Sequence, residues 1–154
     1  MKRLRKGMLL FLLGCLLCSL AGCKGEINCS SLLLTFADAY GIEGEVYTSE
    51  SRPGEPWYLS DEMLLALYGE EVPTYRSAAV LLCSDLYTVR ECGIFVCEDR
   101  DDALTSAALF DRRARLLYAY DSEAEGRVLS FGRVVVYFVV PDARRAYRIW
   151  RQLL

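Results

Sequence analysis

The sequence predicts an α+β domain: a mainly antiparallel sheet from a repeated ββα pattern, packed with helices, after an N-terminal helical and loop segment. Three observations carry that expectation. Two pairs of apolar runs, 78–84 with 93–97 and 127–131 with 133–140, are each followed by a stretch with helical spacing. The run Val134–Val140 is apolar at odd and even positions alike, so both sides of that strand must be covered. Residues that cap or open helices stand at the expected boundaries: Ser60 at one start, the acids Asp99, Asp101 and Asp102 at another, Gly41 and Gly69 at ends.

In chain order, Leu32 to Tyr40 reads as a short helix ended by Gly41. The Gly-, Pro-, Ser- and Glu-rich stretch that follows, with Pro53, Gly54 and Pro56, is a loop. A short strand near Val46-Tyr47 interrupts it, and Trp57 and Tyr58 are expected over the core edge. A helix opens after Ser60, favoured by Asp61 and Glu62 at its positive end, with Met63, Leu64, Leu67 and Tyr68 inward. The first hairpin turns around Leu86 to Arg90. The helix after it runs from the Asp99 region to about Tyr118 and buries Ala103, Ala107, Phe110, Ala114 and Leu117. A polar turn over 121–126 leads to the second hairpin, with Gly132 at the bend. Pro141 suits the first turn of a last helix that buries Ala143, Ala146, Tyr147, Trp150 and Leu154.

Ahead of this body the chain starts with Lys2, Arg3, Arg5 and Lys6, then an apolar run from Met8 to Leu20, then Ala21 and Gly22. A basic start, a short apolar run and small residues at the cut are the parts of a secretory signal. The run is short for a membrane span, which takes about 20 residues. Leu20-Ala21-Gly22-Cys23 resembles the lipobox of bacterial lipoproteins. That resemblance implies a diacylglyceryl group on the Cys23 thiol and cleavage just before it. The implied layout is 1–22 as signal peptide, 23–31 as lipidated N-terminus and polar tether, and 32–154 as a single domain. It also implies export and lipid attachment at the extracytoplasmic face of the cell membrane. Residues 24–31 would span at most about 28 Å, holding the domain close to the bilayer.

Without its first 22 residues the chain keeps 14 basic against 21 acidic residues, a formal charge of −7. That balance argues against sequence-independent binding to nucleic acid. The remaining 132 residues suit one domain with a sizeable core. There is no histidine, which removes Ser-His-Asp and Cys-His catalysis and His-bearing zinc sites. No cofactor is expected.

Four cysteines follow Cys23, with no C-x-x-C spacing: Cys29, Cys83, Cys92 and Cys97. A turn centred on Tyr87-Thr88 would set Cys83 opposite Cys92 and allow a cross-strand disulfide. The alternative, which we favour, is that the thiols are small buried groups. Glu98, Asp99, Asp101 and Asp102 invite a Ca²⁺ reading, but the spacing is not that of an EF-hand loop. The simpler expectation is acids that cap a helix. Arg144, Arg148 and Arg151 fall on one face of the last helix, with Arg145 to one side. They are either a solvated face or a contact for anionic headgroups or wall polymers. Tyr118, Tyr137 and Tyr147 are expected in the core. Tyr40, Tyr47, Trp57 and Tyr58, beside the loop, could line a sugar-binding groove.

The Leu67-Tyr68-Gly69 helix end, the Ile94-Phe95-Val96 strand, the acid-opened helix and the Gly132, Val134, Tyr137 spacing resemble a family of small Firmicutes lipoproteins catalogued as a domain of unknown function. The resemblance spans most of 32–154 and assigns no residue a role. The expected function is therefore a membrane-anchored, non-enzymatic binding domain that meets an envelope protein or polymer. An envelope enzyme using carboxylates such as Asp99, Asp101 or Asp111, with or without a metal, is the alternative. A ligand-binding lipoprotein feeding a transporter ranks last, because the chain is short for two lobes.

Overall fold

The computed structural model describes residues 26–83 and 90–154. In order these form α1 (Cys29–Tyr40), β1 (Gly44–Thr48), α2 (Asp61–Tyr68), β2 (Tyr75–Cys83), β3 (Glu91–Cys97), α3 (Arg100–Tyr120), β4 (Glu125–Phe131), β5 (Val134–Val140) and α4 (Ala143–Leu153). The five strands make one sheet in the order β1-β2-β3-β5-β4, and every neighbouring pair is antiparallel. The fold is α+β, and the ββα unit occurs twice.

The apolar run at Val134–Val140 behaves as its composition demands. All seven residues are buried, and β5 lies between β3 and β4. Val134, Val136, Phe138 and Val140 pack into one core with Leu33, Phe36 and Trp150 of α1 and α4. Val135 and Tyr137 pack into a second core on the opposite face, with Leu109 and Phe110 of α3 and Leu64 of α2. Helices therefore cover the sheet on both sides.

Helices α1 and α4 lie side by side and run in opposite directions. The Asp142 N–H before α4 donates to the Tyr40 hydroxyl at the end of α1 (2.9 Å). The Arg145 guanidinium donates to the Ala39 carbonyl (2.9 Å). Further along, the rings of Phe36 and Trp150 stack at 4.6 Å. The C-terminal end of α4 thus lies beside the start of α1.

Most caps stand where the sequence puts them. Ser60 and Asp99 accept backbone N–H groups at the starts of α2 and α3. Gly41 and Gly69 close α1 and α2 in the left-handed conformation. The close approach at Gly93 is legible only in three dimensions. A Cβ there would meet the ring of Tyr137 on β5, so glycine lets that ring lie flat across β3.

Several expectations need correction. Helix α1 starts at Cys29 rather than Leu32. Asn28 is its N-cap and accepts from the Ser31 N–H at 2.7 Å, and Cys29 is fully buried. The residues expected as tether through 31 therefore belong partly to the fold. Pro141 sits before the cap of α4 instead of in its first turn, because Asp142 accepts the Arg145 N–H. Tyr147 and Leu154 are 38% and 42% exposed, since Ala143, Ala146 and Trp150 make the buried seam of α4, flanked by half-buried Ile149 and Leu153. Tyr118 is also exposed, whereas Ser106 and Leu109 join the buried face of α3. Trp57 is about half exposed rather than laid over the core.

Candidate functional site

The basic face predicted on the last helix exists. Helix α4 contains four arginines and no acid. With Ala143, Ala146 and Trp150 turned inward, Arg144, Arg148 and Arg151 are exposed at i, i+4 and i+7. The sheet adds one more. Arg127 on β4 pairs with Phe138, and side chains directly opposite share a face, so Arg127 lies on the α4 side. Arg127, Arg144, Tyr147 and Arg148 line a shallow depression of about 270 Å³. The Arg151 guanidinium donates to the Tyr147 hydroxyl (3.1 Å) and sits 5.9 Å from the ring centre. Arg127 is paired with Glu125. Among the described residues no ion pair engages Arg144, Arg145, Arg148 or Arg151. Like charges one helical turn apart repel by a few tenths of a kcal/mol. Guanidinium forks aimed at solvent are suited to carboxylate or phosphate oxygens. Tyr147 was not legible as part of this face, because its helical spacing equally suits the core.

The second constellation is buried. Glu91, at the start of β3, is 4% exposed. Arg113 of α3 grips its carboxylate with two hydrogen bonds, Nε at 3.1 Å and Nη2 at 2.7 Å. The Tyr137 hydroxyl donates to the same carboxylate at 2.7 Å, and Tyr68 of α2 reaches the Tyr137 oxygen at 2.8 Å. Burial, and then the charge of Glu91, pushes both tyrosines well above their ordinary range. Burial works against the charge on Arg113, but the hydrogen bonds and charge of Glu91 outweigh it and hold the guanidinium above its ordinary value. Four side chains from four elements close on one another, which ties α2 and α3 to the sheet. The one sequence signal was an acid heading an otherwise apolar strand.

No known protein family, curated protein or solved structure matches this chain. Its chemistry must be read from its own residues.

Of the acids behind the enzyme alternative, Asp99 and Asp101 meet at the start of α3 and Asp111 lies apart. Asp99 is the N-cap of α3 and accepts from the N–H groups of Asp101 (2.8 Å) and Asp102 (2.9 Å). Asp102 is raised from its ordinary value by desolvation and then by the charges of Asp99, Glu98 and Asp101. Asp111 pairs with Arg115 on the same helix at 2.6 Å. Ten residues of helix separate Asp101 from Asp111, about 15 Å along the axis. Among the described residues no group of three or more potential ligands could hold a metal ion.

The cysteines are thiols with no disulfide among them. The register sets Leu81 opposite Cys92, and the Cys83 N–H donates to the Arg90 carbonyl (3.1 Å). Cys83 therefore lies diagonal to Cys92, two residues from the position a cross-strand bridge would need. Burial pushes the Cys29 thiol up to about 11 and the Cys92 thiol well above its ordinary value. Cys97 is raised by the same cause and rests 3.6 Å from the Ser106 hydroxyl. Such thiols resist ionisation, which is the reverse of what redox chemistry needs.

The loop aromatics do not form one groove. Tyr40 is buried against α4, while Tyr47 and Trp57 meet edge to face at 5.6 Å. Cys23, the predicted lipidation site, lies outside the described residues.

Proposed function

We propose that this protein is a lipid-anchored, non-enzymatic binding domain on the outer face of a bacterial cell membrane. Cys23 carries the anchor, and the exposed arginines of α4 with Arg127 form a contact surface for an anionic component of the envelope. The observation that carries this reading is the lipobox-like Leu20–Cys23 placed five residues before the N-cap of α1. Two acyl chains on one cysteine suffice for stable attachment, at about 0.8 kcal/mol per buried CH₂.

The geometry also supports binding over carboxylate catalysis. Paired catalytic carboxyl groups in glycoside hydrolysis stand about 5–9.5 Å apart. Asp101 and Asp111 are further apart than that along one helix, the neighbouring Asp99 carboxylate is engaged as the cap of α3, and Glu91 is committed to Arg113 and Tyr137.

Replacing Cys23 with alanine tests the anchor. The parent chain should incorporate labelled fatty acid and mature by losing its first 22 residues. The Cys23→Ala chain should do neither. Normal acylation and processing of that variant would end the lipoprotein reading.

A further inference from the structure

We infer that the α1/α4 layer is the membrane-facing side of the domain and docks on an anionic lipid surface. The inference rests on the membrane-bound reading above and names the orientation that reading leaves open.

Two observations carry it. The first is where the chain enters the fold. The segment preceding the described residues reaches the domain at Asn28, the cap of α1, so it arrives in the α1/α4 layer. From residue 23 to residue 28 an extended chain covers only about 18 Å. That end is also fixed: the Glu50 carboxylate accepts the Cys29 N–H (2.9 Å) and the Ser30 hydroxyl (2.7 Å). A surface holding residue 23 must therefore lie close to the start of α1, and α4 ends beside it.

The second is charge. The described residues carry 13 arginines against 20 carboxylates, a balance of −7. Helices α1 and α4 hold four of those arginines and one acid, Asp38, a balance of +3. The rest of the described chain is left at −10. Glu26 and Glu43 flank α1 at its two ends; of the other acids beside the layer, Asp142 caps α4, Glu125 pairs with Arg127 and Glu50 fastens α1. Exposed Leu34 on α1 adds an apolar residue to the same side. Next to a negative bilayer such a dipolar domain turns its basic layer inward and its acidic body outward. Each basic residue near the surface favours that orientation about fivefold at 25 °C, and the bias dies within a Debye length.

The test uses the full chain reconstituted into vesicles, with arginine reactivity toward a water-soluble dicarbonyl reagent mapped by mass spectrometry. One vesicle set is phosphatidylcholine alone; the other also contains phosphatidylglycerol. Arg144, Arg148 and Arg151 should be protected several-fold in the anionic vesicles, and about 1 M salt should abolish the protection. Arg112 and Arg115, on the opposite side of the sheet with side chains 65% and 79% exposed, serve as the internal control and should not change. In the Arg144→Gln/Arg148→Gln chain the several-fold protection of Arg151 should be largely lost. Equal reactivity in the two vesicle sets, or equal protection of Arg112 and Arg115, overturns the inference. Fatty-acid labelling of the same samples reads the anchor separately. An acylated chain without face-specific protection refutes the docking and leaves the anchor standing. Protection without acylation supports the docking and refutes the anchor.

Discussion

Changing Glu91 to glutamine tests whether the buried network is closed. The substitution keeps the shape of the side chain and removes its charge. Arg113, with a side chain only 17% exposed, would then hold an unpaired guanidinium against the sheet. Breaking one side of a buried ion pair costs about 3–5 kcal/mol. Partial exposure of Arg113 places the expectation near the lower bound, about 3 kcal/mol. The Tyr137 hydroxyl also loses a charged acceptor at 2.7 Å, and hydrogen bonds to charged groups contribute about 1.5–3 kcal/mol. The two effects share a partner and should not add fully. Urea unfolding of the chain lacking residues 1–22, with Cys23→Ser, reads the cost. A loss of about 3 kcal/mol lowers the midpoint by roughly 1–3 M for slopes of 1–3 kcal/mol/M. The double change Glu91→Leu/Arg113→Met removes both charges and should cost much less than the sum of Glu91→Leu and Arg113→Met measured singly. A Glu91→Gln chain within 0.5 kcal/mol of the parent, which is about the scatter of a surface substitution, would refute the argument. So would additive costs in the double variant, which would mean that Arg113 and Glu91 do not depend on each other.

Two other outcomes are expected. Val135→Asp and Val136→Asp place a carboxylate on opposite faces of β5, both fully buried, and each should abolish cooperative melting. A melt of either variant within a few degrees of the parent would show that its face is wet. Stability should also fall as pH rises above 9. The Cys29 thiol goes from 9.0 to about 11 in the folded chain and Tyr75 from 10.0 to about 12, both mainly by burial. A raised folded value means that the unfolded chain releases its proton first. The stabilisation is complete below the unfolded value and is lost as pH climbs toward the folded one. For Cys29 the two-unit shift corresponds to about 3 kcal/mol, lost between about pH 9 and pH 11. Denaturation midpoints measured across pH 8–12 check this, with Cys29→Ala flattening the first part of the fall.

The elements and their polarity were largely legible in the sequence. Alternation and helical spacing report which sides of a segment are apolar, and the all-apolar run at Val134–Val140 required cover on both sides whatever supplied it. Short-range chemistry fixed the caps at Ser60, Asp99, Gly41 and Gly69, because each bonds within its own turn. Spacing alone also put Arg144, Arg148 and Arg151 on one face.

Only the tertiary structure decided which neighbour meets which face. Tyr118, Tyr147 and Leu154 have core-like spacing, yet the seams of α3 and α4 pass them by and leave them in water. Cys83 and Cys92 are separated by register, because the pairing of β2 with β3 sets Leu81 opposite Cys92. Asn28 and Cys29 look like tether until Glu50, more than 20 residues later, binds the Cys29 N–H. Glu91, Arg113, Tyr137 and Tyr68 come from four elements, and nothing local predicts that they close into one network. The charge segregation has the same origin. Net charge is a property of composition, but placing the acid-poor helices α1 and α4 on one side of the sheet, beside the entry of the chain, is a property of topology.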